Sequence, residues 1–253
     1  MDSGSCMKTI SRARFPGMFV IEIVGPTSSG KTALANDIAG KLRSAGKRVC
    51  FPFEIVPIKH LLRRLKSEGL RNLCLEIFFL IRYFLPITRN YRSHRALAAS
   101  GFNFSDKIKL HRSLFRKLGY DLLSNTAAST EGVMILDEGY YQILQNLITP
   151  DGNTIDVNSF IDRPFYPDLL IVVTANIETL ISRSTTRKDL TSRYKYLGTQ
   201  NLKKLLGQSK MIYEAFADTY GVFTGKTPFR LNRLEGLSID KLETAGLIVF
   251  TND

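Results

Sequence analysis

Gly25-Pro26-Thr27-Ser28-Ser29-Gly30-Lys31-Thr32 matches the pattern G-x-x-x-x-G-K-[ST] at every fixed position. Its context gives the match its meaning. Met18 to Val24 (MFVIEIV) precedes it, a short apolar run rich in β-branched residues, as a buried strand requires. After it, Leu34, Ile38 and Leu42 recur every four residues, which predicts a helix over Thr32 to Ser44. A strand that turns through glycines into a helix makes a phosphate cradle. Gly25 and Gly30 permit the tight turn, and the backbone N–H groups of Thr27, Ser28 and Ser29 point inward. The helix N-terminus adds positive potential. In that setting Lys31 reaches the β- and γ-phosphates and the Thr32 hydroxyl ligates Mg²⁺, so the cofactors expected are ATP and Mg²⁺.

Working outward, Lys47 to Phe53 reads as a second strand, Pro57 to Lys66 and Asn72 to Phe84 as helices, and Asp106 to Thr126 as a further helix capped by Ser105. Val133 to Leu136 reads as a third strand, Tyr140 to Ile148 as a helix, Leu169 to Val173 as a fourth strand and Ile177 to Arg183 as the helix after it. Gln200 to Tyr220 reads as a long helix, Phe229 to Leu231 as a last strand, and a helix starts again at Ser238. Apolar strands alternating with helices predict an α/β fold with a parallel sheet covered on both faces. The 253 residues suit a single domain, with a flexible lead over 1–17, a helical insert over 55–130 and a lid over 183–198.

Chemistry-bearing residues cluster at strand ends. The third strand ends in Asp137-Glu138, where a carboxylate near a phosphate loop holds Mg²⁺ or takes a proton from an acceptor hydroxyl. Glu138 is open to three roles: base, activator of water, or cap of the next helix. Glu54, after the second strand, is a further carboxylate at the same sheet edge. Beyond the fourth strand, Arg183, Arg187 and Arg193 with Lys188 and Lys195 form a basic stretch. Arg183 and Arg187 share a helix face. Phosphoryl transfer needs such cations, and a closing segment that excludes water.

Charge is uneven. The chain carries +12 in total, yet 41–120 holds 18 Lys and Arg against four acids, +14 in under a third of its length. Such an excess attracts phosphates, nucleic acid or anionic lipid. The hydrophobic share of 44% excludes global disorder. The most apolar stretch, Leu73 to Ile87, is broken by Glu76 and Arg82 and is too short to span a bilayer. Three scattered cysteines and a polar beginning are expected of a cytoplasmic protein in a reducing compartment. His60, His94 and His111 do not form a ligand pattern, and Tyr140-Tyr141 reads as core or pocket wall.

Phosphate loop, basic helical insert, Asp-terminated strand, Pro167-Asp168 before the next strand and Arg-rich stretch together resemble the P-loop nucleoside and nucleotide kinases, thymidylate kinase in particular. The resemblance implies a P-loop NTPase fold with a five-stranded parallel sheet, ATP as phosphoryl donor, an acceptor pocket formed by residues after the second strand and by the insert, and an Arg-rich lid. Carried over by position, Glu54 neighbours the acceptor, Arg89 or Arg92 grips an acceptor phosphate, Lys31, Thr32 and Asp137 serve ATP and Mg²⁺, and Arg183, Arg187 and Arg193 belong to the lid. The acceptor implied is a small anionic molecule such as a nucleoside, nucleotide or sugar, and the apolar helix Leu73 to Phe84 is a candidate homodimer face. Thymidylate kinases usually place Arg after the strand-end Asp, and nucleoside kinases show Glu-Arg-Ser there. Here Glu138 and Gly139 follow Asp137, which leaves room for another acceptor, including a lipid-linked one at a membrane. Two rivals share the loop: tRNA dimethylallyltransferases, which would bring nucleic acid as partner, and P-loop ATPases in which the Glu of an Asp-Glu pair activates water.

Overall fold

The computed structural model describes residues 18–88, 91–126, 132–148, 158–161, 166–186 and 198–232. Five strands, β1 (Met18–Val24), β2 (Val49–Cys50), β3 (Gly132–Leu136), β4 (Leu169–Thr174) and β5 (Phe229–Asn232), form one sheet in the order β2-β3-β1-β4-β5. Every pairing is parallel. With the glycine-rich loop between β1 and the helix α1 (Lys31–Ser44), this is the P-loop NTPase fold, as expected.

Parallel strands need helical crossovers and are buried on both faces, which is why β1 and β4 read as nearly continuous apolar runs. Alternation along β1 sorts its side chains. Ile21 and Ile23 pack with Leu34, Ile38 and Leu42 of α1 on one face. Val24 belongs to the larger cluster on the other face. That cluster takes in α3 (Glu68–Thr88), α4 (Tyr91–Ala99), α5 (Phe104–Thr126) and α8 (Thr199–Thr224). The short helices α2 (Lys59–Arg64) and α6 (Asn158–Ile161), with α7 (Ile177–Thr186), complete the set. Asp168 fixes the start of β4 against β1: its carboxylate accepts from the N–H of Val20 at 2.8 Å, and its own N–H donates to Val20 O at 2.9 Å. Gly119 lets α5 lie against α3, because a Cβ there would overlap the ring of Phe79.

Several boundaries differ from the sequence reading. The second strand, expected over Lys47 to Phe53, is only two residues long. Pro52 has no N–H for a ladder, and Pro52–Ile55 winds into a 3-10 turn in which Glu54 accepts from Phe51 N at 2.8 Å. Ser105 does not cap α5. The cap is Asn103, whose side-chain oxygen accepts from Asp106 N at 2.9 Å, so the helix begins at Phe104. Tyr140–Asn146 is 3-10 rather than α-helical. Neither α4 nor α6 was expected. The segments 1–17 and 233–253, including the helix expected from Ser238, lie outside the described residues.

Candidate active site

The loop joining β1 to α1 is built from backbone that only particular residues tolerate. Gly25 (φ 151°) lies so close to β4 that a Cβ would overlap the carbonyl oxygen of Val173. Gly30 (φ 93°) is the N-cap of α1 in the left-handed region, and Ser28 (φ 65°) is a left-handed residue that is not glycine. α1 has no side-chain cap and no acid in its first turn. Its first N–H groups and positive end are therefore available to an anion. The Lys31 ammonium folds across the loop and donates to Gly25 O at 2.9 Å and Pro26 O at 2.8 Å.

Three elements hold this loop in place. Behind it, the segment after β3 contributes Gln142, whose amide donates to Gly25 O at 3.3 Å, and Gln145, whose oxygen accepts from the Thr27 hydroxyl at 3.0 Å. On the α7 side, Ser184 donates to the Ser28 hydroxyl at 2.9 Å, and the Arg183 guanidinium reaches Ser29 O at 3.5 Å. Tyr213 of α8 donates to Gln142 O at 3.3 Å and so braces the glutamines.

Asp137, at the end of β3, is adjacent to the start of α1, because β3 pairs directly with β1. Burial and the neighbouring Glu138 raise the pKa of its carboxylate, while the nearby Thr32 side chain pulls it down. Glu138 is exposed, and its backbone oxygen accepts from Lys117 of α5 at 2.7 Å. Burial pulls the Lys117 ammonium below its ordinary pKa, against the pull of Glu138, Glu22 and Asp137, which favour its charge. The other side of the same turn is held by Glu22, fully buried in β1, whose carboxylate accepts from Tyr141 N at 2.8 Å. Gly139 is required by that contact. A Cβ there would stand 2.6 Å from the carboxyl carbon of Glu22.

The Thr32 hydroxyl and the Asp137 carboxylate, neighbours at the end of the loop, are hard oxygen donors of the kind Mg²⁺ prefers. Among the described residues no group of three or more His, Cys, Asp or Glu is arranged to hold a metal ion.

The structure thus brings together Gly25, Thr27, Ser28, Ser29, Gly30, Lys31, Thr32, Asp137, Glu138 and Arg183. Arg183 lies inside α7, beside the phosphate loop. Arg187 and Arg193, with most of the segment read as a lid, lie outside the described residues, as does Arg89. Arg92 falls in α4, and its side chain is outside what is described. Glu54 is exposed, its carboxylate turned back on Phe51 N.

Sequence reading missed Glu22, Lys117, Gln142, Gln145 and Ser184. Glu22 carried the only local signal, a lone acid in an apolar strand.

No protein-family profile matches this chain, and no curated protein sequence does either. Among solved structures, the chain is similar to a deoxyadenosine kinase from M. mycoides with bound dATP, at 16% identity and a TM-score of 0.46, over 90% of this chain and 97% of that one.

Proposed function

We propose that this chain is an ATP- and Mg²⁺-dependent phosphotransferase that moves the γ-phosphate to a hydroxyl or phosphate of a small anionic acceptor, of the nucleoside, nucleotide or sugar class. The observation that carries the reading is the parallel pairing of β1 with β3, which sets Asp137, the carboxylate ending β3, beside the end of the phosphate loop at Thr32. Loop and carboxylate are the two halves of a nucleoside-triphosphate site. They are far apart in sequence, yet parallel pairing of β1 with β3 joins them.

Bound Mg²⁺ would neutralise charge on the transferring phosphoryl group. The protein's own work is positioning. The α1 N-terminus and the loop N–H groups hold the phosphates. Lys31, donating to two loop carbonyls, supplies a cation at the same place. Arg183, held at Ser29 O, supplies another from the opposite wall, suited to charge that builds up in the transition state. Asp137 stands beside Thr32, where it would meet Mg²⁺ or an acceptor hydroxyl.

The basic insert, with α5 reaching the Asp137–Glu138 turn through Lys117, supports an anionic acceptor arriving from that side. Thymidylate-kinase-like chemistry is one member of this class. The test incubates the chain with γ-labelled ATP and Mg²⁺ against nucleosides, nucleoside monophosphates, sugars and lipid-linked sugars. Transfer of label to one acceptor class, exceeding release to water, is expected. Release of inorganic phosphate at full rate with every acceptor absent would instead favour an ATPase in which Glu138 activates water.

A further inference from the structure

We infer that the outer face of α3 is a membrane-docking surface whose partner is an anionic lipid bilayer. The helix has two unlike sides. Leu75, Phe79 and Tyr83 are buried, with the Phe79 ring edge-on to Tyr120 of α5. Opposite them, Leu70, Leu73, Ile77, Leu80 and Ile81 are exposed, from 45% at Leu73 and Leu80 to 81% at Ile81, and Phe84 follows at 53% just past the break in helical geometry at Tyr83. At about 100° per residue the first five fall within an arc of roughly 100°. A continuous apolar stripe of this length is unusual on a protein surface that meets only water.

What surrounds the stripe selects the partner. From Lys59 through Phe84 the chain has six Lys and Arg against two Glu, a net charge of +4. Arg63, Arg64 and Lys66 are exposed immediately before the helix, and Arg82 is exposed on it. Of the two acids, Glu76 is held by Arg112 at 2.8 Å and Arg116 at 2.5 Å, both from α5, so that flank is also net positive. A second copy of the chain joined through this face by a two-fold axis would bring one net-positive rim against another. Anionic headgroups would neutralise them while the acyl boundary takes the leucines and isoleucines. No helix among the described residues is long and apolar enough to cross a membrane, so α3 would lie in the plane of the interface. This inference stands apart from the kinase reading, since none of these residues belongs to the phosphate site.

The experiment is sedimentation of the full chain with vesicles of phosphatidylcholine alone or mixed with phosphatidylserine. Binding is expected to the mixed vesicles and to fall as salt is raised. Ile77→Gln/Ile81→Gln leaves every charge in place and is expected to weaken binding about tenfold or more. Both positions are exposed, so far-UV circular dichroism should match the parent. Because the chain has no tryptophan, Ile81→Trp adds a single probe whose emission should move to shorter wavelength on adding the mixed vesicles. Three results would overturn the inference: no binding to mixed vesicles, binding unchanged by the double substitution with the emission of the introduced tryptophan unshifted, or self-association of the parent in solution that the same substitution abolishes. The last would make a second copy the occupant.

Discussion

Gly139→Ala puts one methyl group where the turn after Asp137 passes over Glu22. The added Cβ would stand 2.6 Å from the carboxyl carbon of Glu22 and 2.8 Å from its Cγ. Glu22 has nowhere to retreat, since it is fully buried and its carboxylate holds Tyr141 N at 2.8 Å. Overpacking of this kind costs about 1–3 kcal/mol, and disturbing a buried charge-assisted hydrogen bond costs about 1.5–3 kcal/mol. A loss of about 3 kcal/mol follows, or a drop in Tm of roughly 6–12 °C for a domain of this size. Thermal unfolding followed by far-UV circular dichroism measures it. A double-mutant cycle isolates the cause. In a Glu22→Ala background the obstructing carboxylate is gone, so Gly139→Ala should cost at least about 1.5 kcal/mol less than in the parent. Turnover should fall as well, because the same turn carries Asp137. Additive costs, or a loss below about 1 kcal/mol in the parent, would refute the claim that Glu22 dictates glycine at 139.

Asp137→Asn keeps the shape but removes the charge offered to Mg²⁺, and should lower kcat at least about 10²-fold with Tm nearly unchanged; a loss under tenfold would reduce Asp137 to a structural role. Lys117→Met removes the donor to Glu138 O and should lower kcat more than it raises the KM for ATP, with partial rescue by Lys117→Arg, as steady-state kinetics would show. His94 and His111 stack with Nδ1 atoms 3.0 Å apart, and burial followed by the neighbouring His111 lowers the pKa of His94 from 6.5 to about 4. The folded state therefore favours the neutral ring, so this contribution is complete above pH 6.5 and is lost as pH falls from there towards 4. With allowance for solvent screening the loss by pH 5 is about 1 kcal/mol, or 2–4 °C in Tm, and His94→Gln should flatten that part of the profile.

The sheet and the phosphate loop were legible because their signals are local. MFVIEIV, the glycine-rich octapeptide and the Leu34–Ile38–Leu42 spacing each lie within one element, and apolar runs marked β3 and β4 with near-correct ends. The site's supports were not legible because they come from elsewhere in the chain. Gln142 and Gln145 reach the loop from 117 and 118 residues away, and Ser184 from 156. Lys117 sat inside a basic stretch whose charges all looked alike until α5 was placed beside β3. Gly139 looked like a departure from the kinase pattern, and only the position of Glu22 gives it a reason. Glu54 shows a local role that the sequence left unseen: Pro52 bends the chain after β2 into a turn that Glu54 itself closes. The +14 of 41–120 proved to be divided, with Lys117 at the site, Arg112 and Arg116 on Glu76, and others beside the apolar face of α3.

The most direct test of the phosphate site is calorimetric titration of the chain and of Lys31→Ala with ATP in the presence of Mg²⁺. Saturable binding by the parent, lost or weakened at least about a hundredfold in the variant with its fold intact, is the expected result, since the lost charged contact at buried phosphates is worth about 3 kcal/mol or more. Equal affinity in the two proteins would contradict the assignment of the loop.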